Sequence, residues 1–330
     1  MSDQPGRQFD NQKILITGGL GFIGSNLAKR LLQLGAEVVL VDNLLPNSGG
    51  NLYNIAAIQD QLTVHVLDMG DQAAMRPLIE DAAYLFNLAG QVSHQVGMQD
   101  PCLDLEINAR SQLTILELCR HHNPTIKIVF TSTRHIYGRP DYLPVDEKHC
   151  LRPGDVNGVN KLAGESYHRI YHDAYGLRTA VLRLTSTYGS GMRIKDARQT
   201  FLGIWLRLLL EGKPFEVWGG EQLRDYSHVD DVVEALLAAA VSPAAEGQVF
   251  NLSGDRLLLK DLAQLLVDAH GSGEFSVRPF PTDRKSADLG DFYSDDQLIR
   301  SVLGWQPQVT LREGLARTLA YYQKHLVHYL

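Results

Sequence analysis

Short apolar runs alternate with longer stretches of helical period through the first half of the chain. Residues 13–17, 37–41, 62–67, 84–88 and 127–131 are strand-length and rich in Val, Ile and Leu, and amphipathic helical segments separate most of them. Strands that alternate with helices are joined by crossovers, so the pattern predicts an α/β fold with a doubly wound parallel sheet covered on both faces. Two long stretches, 101–122 and 157–175, carry an apolar stripe and are expected to pack on that sheet. After a further strand at 179–184 the order loosens, with helices at 200–211, 229–241, 259–270 and 311–323 among short strands. This predicts one lobe over 1–185 and a smaller lobe over 186–330, and with no Pro/Gly-rich linker between them the boundary is expected to be interwoven.

Composition narrows the possibilities by exclusion. In 330 residues, 44% apolar and 21% charged are ordinary values for a globular protein. The formal charge of −7 offers no general attraction for nucleic acid or an anionic membrane surface. The longest apolar stretches, such as 208–210 and 235–241, fall far short of the ~18 residues a membrane span requires. Residues 1–10 are polar and lack the apolar segment of a signal peptide, so the expected location is the cytoplasm. Cys102, Cys119 and Cys150 show no paired or metal-ligand spacing and read as reduced thiols, with no metal site expected.

The first chemical signal is at the amino-terminal end. Ile14-Leu15-Ile16-Thr17 runs into Gly18-Gly19-Leu20-Gly21-Phe22-Ile23-Gly24 and then into a helical segment, the order strand, tight glycine turn, helix. Glycines allow the backbone to approach a pyrophosphate, whose charge meets the amide groups and positive end of the helix. Asp42 closes the second strand, where a carboxylate accepts hydrogen bonds from an adenosine ribose and repels a 2′-phosphate. Together they predict a Rossmann-type lobe that binds NAD in preference to NADP. Asp68, at the end of the third strand, is a candidate for the adenine edge.

Further stretches carry a resemblance: Asn87-Leu88-Ala89-Gly90, Thr131–Gly138 (TSTRHIYG), Lys161, Arg183–Gly189 (RLTSTYG), Arg224–Asp231 (RDYSHVDD) and Leu303-Gly304-Trp305. With the glycine turn, these make residues 12–323 similar to the extended short-chain dehydrogenase/reductase family, specifically its nucleotide-sugar epimerases, dehydratases and decarboxylases. Ala89-Gly90-Gln91-Val92, Asp100-Pro101-Cys102 and Glu106-Ile107-Asn108 look most like the CDP-paratose 2-epimerase (tyvelose epimerase) branch. The resemblance implies cofactor contacts from Gly18, Gly21, Phe22, Ile23, Gly24, Asp42, Asn43, Asp68, Met69, Leu88, Ala89 and Lys161. It implies a nucleotide-diphosphate sugar as substrate, met by Gln91, Ser186, Arg224 and Lys285, with neighbouring Arg284 an alternative to Lys285. It also implies a homodimer through 101–122 and 157–175.

The catalytic set implied is a Ser/Thr, a Tyr and a Lys, the last two in Y-x-x-x-K spacing. Here they fall on Thr133, Asn157 and Lys161. An amide has no protonation state near neutrality and cannot act as the base that a tyrosinate provides. His135, two residues past Thr133, is the expected replacement, on the premise that strand alternation places both side chains on one face. Three readings remain open: an NAD-dependent epimerase that oxidises a sugar hydroxyl transiently, a binding protein without turnover, and a dehydratase or decarboxylase with rearranged acid–base groups.

Overall fold

The computed structural model describes residues 8–196, 200–280 and 290–330. Its strands are β1 (Lys13–Thr17), β2 (Glu37–Asp42), β3 (Thr63–Val66), β4 (Tyr84–Asn87), β5 (Lys127–Thr133), β6 (Arg178–Leu184), β7 (Ser186–Tyr188), β8 (Phe215–Trp218), β9 (Leu223–His228), β10 (Val249–Asn251), β11 (Asp255–Leu258) and β12 (Phe275–Arg278). Its helices are α1 (Phe22–Gln33), α2 (Gln72–Glu80), α3 (His94–Gln99), α4 (Pro101–Leu105), α5 (Ser111–His122), α6 (Val156–Tyr175), α7 (Phe201–Leu210), α8 (Val229–Val241), α9 (Leu259–His270), α10 (Gln297–Leu303) and α11 (Leu311–His325).

Seven strands form one parallel sheet in the order β10-β6-β5-β4-β1-β2-β3. The order reverses between β1 and β4, which opens a crevice beyond their carboxyl ends. Period-two alternation sends side chains to opposite faces. Ile14, Ile16, Val38 and Leu40 pack with α1 and α8, whereas Leu15, Val39, Val41 and Leu85 pack with α2, α5 and α6. Both faces are buried, which explains why these strands read as continuous apolar runs.

The second lobe contains the β11-β9-β7 and β12-β8 sheets. Trp205 of α7, Leu262 of α9 and Leu315 of α11 share its core with Phe215 and Val217 of β8. The chain crosses between lobes more than once: β10 pairs with β6 at the edge of the large sheet, and α8 packs on α1 and β5. At the carboxyl end, Tyr329 Oη donates to Asn54 Oδ1 at 2.7 Å, and Asn51 Nδ2 donates to the His328 carbonyl at 3.0 Å. No helix among the described residues is long and apolar enough to cross a membrane.

The stretch 101–122 departs from the single helix that its pattern predicts. Glu106–Arg110 forms a π turn between α4 and α5. The extra residue per turn rotates Asn108 inward, where Nδ2 donates to the Gln91 carbonyl at 2.9 Å and to Asp104 Oδ1 at 3.1 Å. The break trades regular helix bonding for a buried polar contact beside the cleft.

Candidate active site

One cleft of about 620 Å³ runs from the glycine turn across the sheet ends to the second lobe. Its near end is the turn between β1 and α1. Gly18 has a φ of 69°, and a Cβ on Gly24 would fall on the Gly18 carbonyl oxygen, so this tight approach admits no side chain. No side chain caps the start of α1 and its first turn carries no acidic residue, so the amide groups there face the cleft without a competing anion. Gly21, Phe22 and Ile23 line the same wall.

Asp42 follows at the end of β2. Its Oδ2 accepts from Leu20 N–H at 3.2 Å and its Oδ1 from Leu44 N–H at 2.9 Å, which fixes the carboxylate. Burial pushes this carboxyl up, and the two amide bonds oppose the shift. Asn43 donates to Asp68 Oδ2 at 2.9 Å and forms one rim of the cleft with Asp68 and Met69; Leu88 and Ala89 lie opposite. These residues fit a dinucleotide: a side-chain-free turn at a helix start for the pyrophosphate, then a fixed carboxylate at the next strand end for the ribose diol.

The middle of the cleft gathers Thr133, His135, Asn157 and Lys161. Lys161 is buried on α6; its Nζ donates to the Thr131 carbonyl at 2.8 Å and sits 4.7 Å from the centre of the Phe130 ring. Burial brings this ammonium down to about 8, with Asp104 and Glu165 opposing the shift. Ser132 Oγ, on the same strand end, is buried without a hydrogen-bond partner. A buried hydroxyl left unsatisfied beside a cleft is a group that a ligand would complete.

Asn157 is 3% exposed. Its Nδ2 donates to the Gln91 carbonyl at 2.7 Å and to Asp104 Oδ2 at 2.9 Å. Asp104 is fully buried and also accepts from Asn108 at 3.1 Å and from Asn160 at 2.8 Å, so three amides surround one carboxylate. Both hydrogens of the Asn157 amide are thus engaged by acceptors within the protein. The amide hydrogens of Asn157 are therefore committed to scaffolding, which leaves its Oδ1 as the atom that could meet a hydroxyl or a water.

His135 corrects a second expectation. β5 ends at Thr133, and Arg134–Tyr137 forms a 3-10 turn in which Thr133 Oγ1 accepts from His135 N–H at 3.3 Å. Strand alternation therefore does not carry through to His135, although the turn still delivers it to the cleft. Burial holds its imidazole well below the ordinary value, reinforced by His94, Arg134 and Arg224. The tyrosines nearest in sequence lie elsewhere: Tyr137 is buried and donates to Asn251 Oδ1 at 2.7 Å, and Tyr142 donates to Asp146 at 2.6 Å. Neither these nor Tyr167 line the cleft.

Three residues that sequence reasoning missed meet here. His94 begins α3 and its Nδ1 lies 2.7 Å from Asp155 Oδ2; Asp155 caps α6; and the His94 ring lies 3.8 Å from that of His135, centre to centre. Arg134 lies beside the buried Asp225 at 3.7 Å, and burial draws its guanidinium down to about 10. His94, His135 and Asp155 are the one group of three metal-capable side chains among the described residues, with ligand atoms within 4.8 Å of one another. The two rings are tilted by 38° to each other, and both Asp155 oxygens already accept hydrogen bonds, an arrangement that suits proton chemistry better than coordination. No linear signal marks the pair, since 61 residues separate His94 from Asp155.

The far end belongs to the second lobe. Ser186 on β7 pairs across to Tyr226 on β9, and Arg224 on β9 is buried in the cleft wall. Gln91 lines the cleft, but its amide is tied to Ser93: Nε2 donates to the Ser93 carbonyl at 2.8 Å, and Oε1 accepts from Ser93 N–H. Lys285 and Arg284 lie outside the described residues.

Comparison with known proteins agrees with this geometry. Residues 14–253 match the NAD dependent epimerase/dehydratase family. The UDP-glucose 4-epimerase of Mycolicibacterium smegmatis is 32% identical over 315 residues, spanning 94% of this chain and 98% of that protein. The CDP-paratose 2-epimerase of Salmonella typhi is 29% identical, spanning 92% of this chain and 97% of its own length. The crystal structure of UDP-glucose 4-epimerase from Thermotoga maritima, solved with UDP-glucose, superposes with a TM-score of 0.87 at 30% identity, covering 95% of this chain and 99% of that one. With its family match spanning residues 14–253, the chain belongs to the NAD-dependent epimerase/dehydratase family.

Proposed function

We propose that the protein is a nucleotide-sugar epimerase that oxidises a sugar hydroxyl transiently and restores it with changed stereochemistry. The observation that carries this reading is the continuity of one cleft, from the glycine turn past Thr133 and Lys161 to Arg224, which lets a dinucleotide and a sugar nucleotide meet. When bound, NAD would accept a hydride from a sugar carbon and later return it. Gly18, Gly21 and Gly24 admit its pyrophosphate, Asp42 takes the adenosine ribose, and Lys161 takes the second ribose. Thr133 orients the sugar hydroxyl. Arg224 supplies a planar cation for the substrate diphosphate. Lys285 belongs to the same assignment through the resemblance alone.

The division near residue 185 into a cofactor lobe and a substrate lobe is part of this proposal, as is a homodimer. Leu105 on α4 and Val159, Ile170 and Tyr175 on α6 are exposed apolar side chains on the helices the resemblance assigns to the dimer contact. Its three free cysteines fit a reducing compartment such as the cytoplasm.

The test is to incubate the NAD-loaded protein with UDP-, CDP-, GDP- and dTDP-linked sugars while following reduced nicotinamide and product mass. Epimerisation gives transient reduction and a product of unchanged mass. Loss of water or carbon dioxide would favour a dehydratase or decarboxylase, and absence of both reduction and product would overturn the enzyme. The engaged amide of Asn157 favours a second reading, a binding protein without turnover, which calorimetry would reveal as sugar-nucleotide affinity with no reaction.

A further inference from the structure

We propose that His94, aligned by Asp155, takes up and returns the hydroxyl proton, the task for which position 157 offers no titratable group; the proposal rests on the epimerase reading above. Asp155 is anchored from both sides. Its Oδ1 accepts from Gly158 N–H at 2.7 Å as the cap of α6, and its Oδ2 meets His94 Nδ1 at 2.7 Å. Burial alone would push this carboxyl up, but the hydrogen bond and charge of His94, with the Gly158 amide, hold it below the usual carboxylate range. An ionised Asp155 accepts a hydrogen bond, so Nδ1 carries the hydrogen and Nε2, on the opposite edge of the ring, keeps its lone pair. His94 lines the cleft together with Thr133 and Lys161.

The neighbouring ring has the complementary part. The His135 ring lies 3.8 Å from that of His94, tilted by 38°, and the burial that keeps it neutral makes it a poor store for a proton. The ionisable groups around the two rings are Asp155 at the cap of α6, Arg134 in the turn after β5, Arg224 on β9 and Lys161 on α6, with Asp104 of α4 set against Gly97 of α3. Of these, only the Asp155 carboxylate is hydrogen-bonded to His94, so a proton arriving there is balanced where it lands.

In the forward step the sugar O–H bond breaks and its proton passes to His94 Nε2. The hydrogen on the same carbon leaves with its electron pair as the hydride that the cofactor accepts, and a C=O bond forms. The return step reverses each transfer on the other face of the carbonyl, so no further oxidant or reductant is consumed.

The experiment compares NAD-loaded wild type with His94→Ala, Asp155→Asn and His135→Ala on UDP-glucose, CDP-glucose, dTDP-glucose and GDP-mannose. His94→Ala is expected to lower kcat by about 10²–10⁴-fold with KM little changed. It also abolishes the acidic limb of the kcat profile, since protonation at low pH removes the acceptor, and added imidazole restores turnover. Asp155→Asn lowers kcat less and retains the limb. Retention of kcat within about twofold in His94→Ala would overturn the proposal. So would transfer of the acidic limb's dependence to His135→Ala, or turnover lost to a chelator and regained with zinc. Should wild type convert none of the four sugars, the epimerase reading fails separately, and nitrogen-15 NMR then judges the pair. Hydrogen on Nδ1 of His94, lost as a sharp signal in Asp155→Asn, sustains it, and hydrogen on Nε2 sinks it.

Discussion

Asn157 shows how one side chain is drawn from chemistry into architecture. It is one of three amides around the buried Asp104, and it also clasps the Gln91 carbonyl. Asn157→Ala leaves those acceptors short of a donor in a dry site, and the expected loss is about 1–3 kcal/mol, read as an earlier midpoint in urea unfolding. Lys161 has a pH signature of the opposite kind. Its folded-state value of about 8 lies below the unfolded 10.5, so the unfolded chain holds more protons between those limits. The destabilising charge is fully present below about 8, and stability rises as pH climbs toward 10.5, by on the order of 3 kcal/mol. Lys161→Met is expected to remove that rise when the two proteins are compared without cofactor. Spacing made Lys161 and the missing tyrosine legible in the sequence, because four residues on one helix are a local fact. His94 and Asp155 were illegible for the converse reason: only the packing of α3 on α6 brings them together.

At the scale of elements, the strand–turn–helix unit from β1 to α1 depends on close backbone approach. Gly24→Ala would set a methyl group against the Gly18 carbonyl. The expected outcome is loss of measurable NAD binding in a titration of intrinsic fluorescence, whereas Gly154→Ala, with nothing within 4 Å of an added Cβ, leaves binding intact. The parallel strands were readable because their burial on both faces makes them uniformly apolar. The π turn at Glu106–Arg110 was not, since an inserted residue changes which way Asn108 faces without changing the composition of the apolar stripe. His135 does not share a strand face with Thr133 for a related reason: β5 stops at Thr133, and the turn that carries His135 begins at the next residue.

On the scale of the whole molecule, the large sheet is completed by chain that arrives late. β10 supplies the strand beside β6, and α8 covers part of the face shared with α1. A protein cut after residue 185 would therefore show the open edge of β6 and the apolar side chains that Val232, Leu236 and Ala240 now cover. Such a fragment is expected to aggregate on expression, as centrifugation of the lysate would show, and to return to solution when residues 186–330 are supplied in trans. The late arrival of β10 also has a consequence for synthesis. A ribosome must release more than two-thirds of the polypeptide before the nucleotide crevice has all its walls, so the nascent chain has to shelter an unfinished sheet until its last strand emerges.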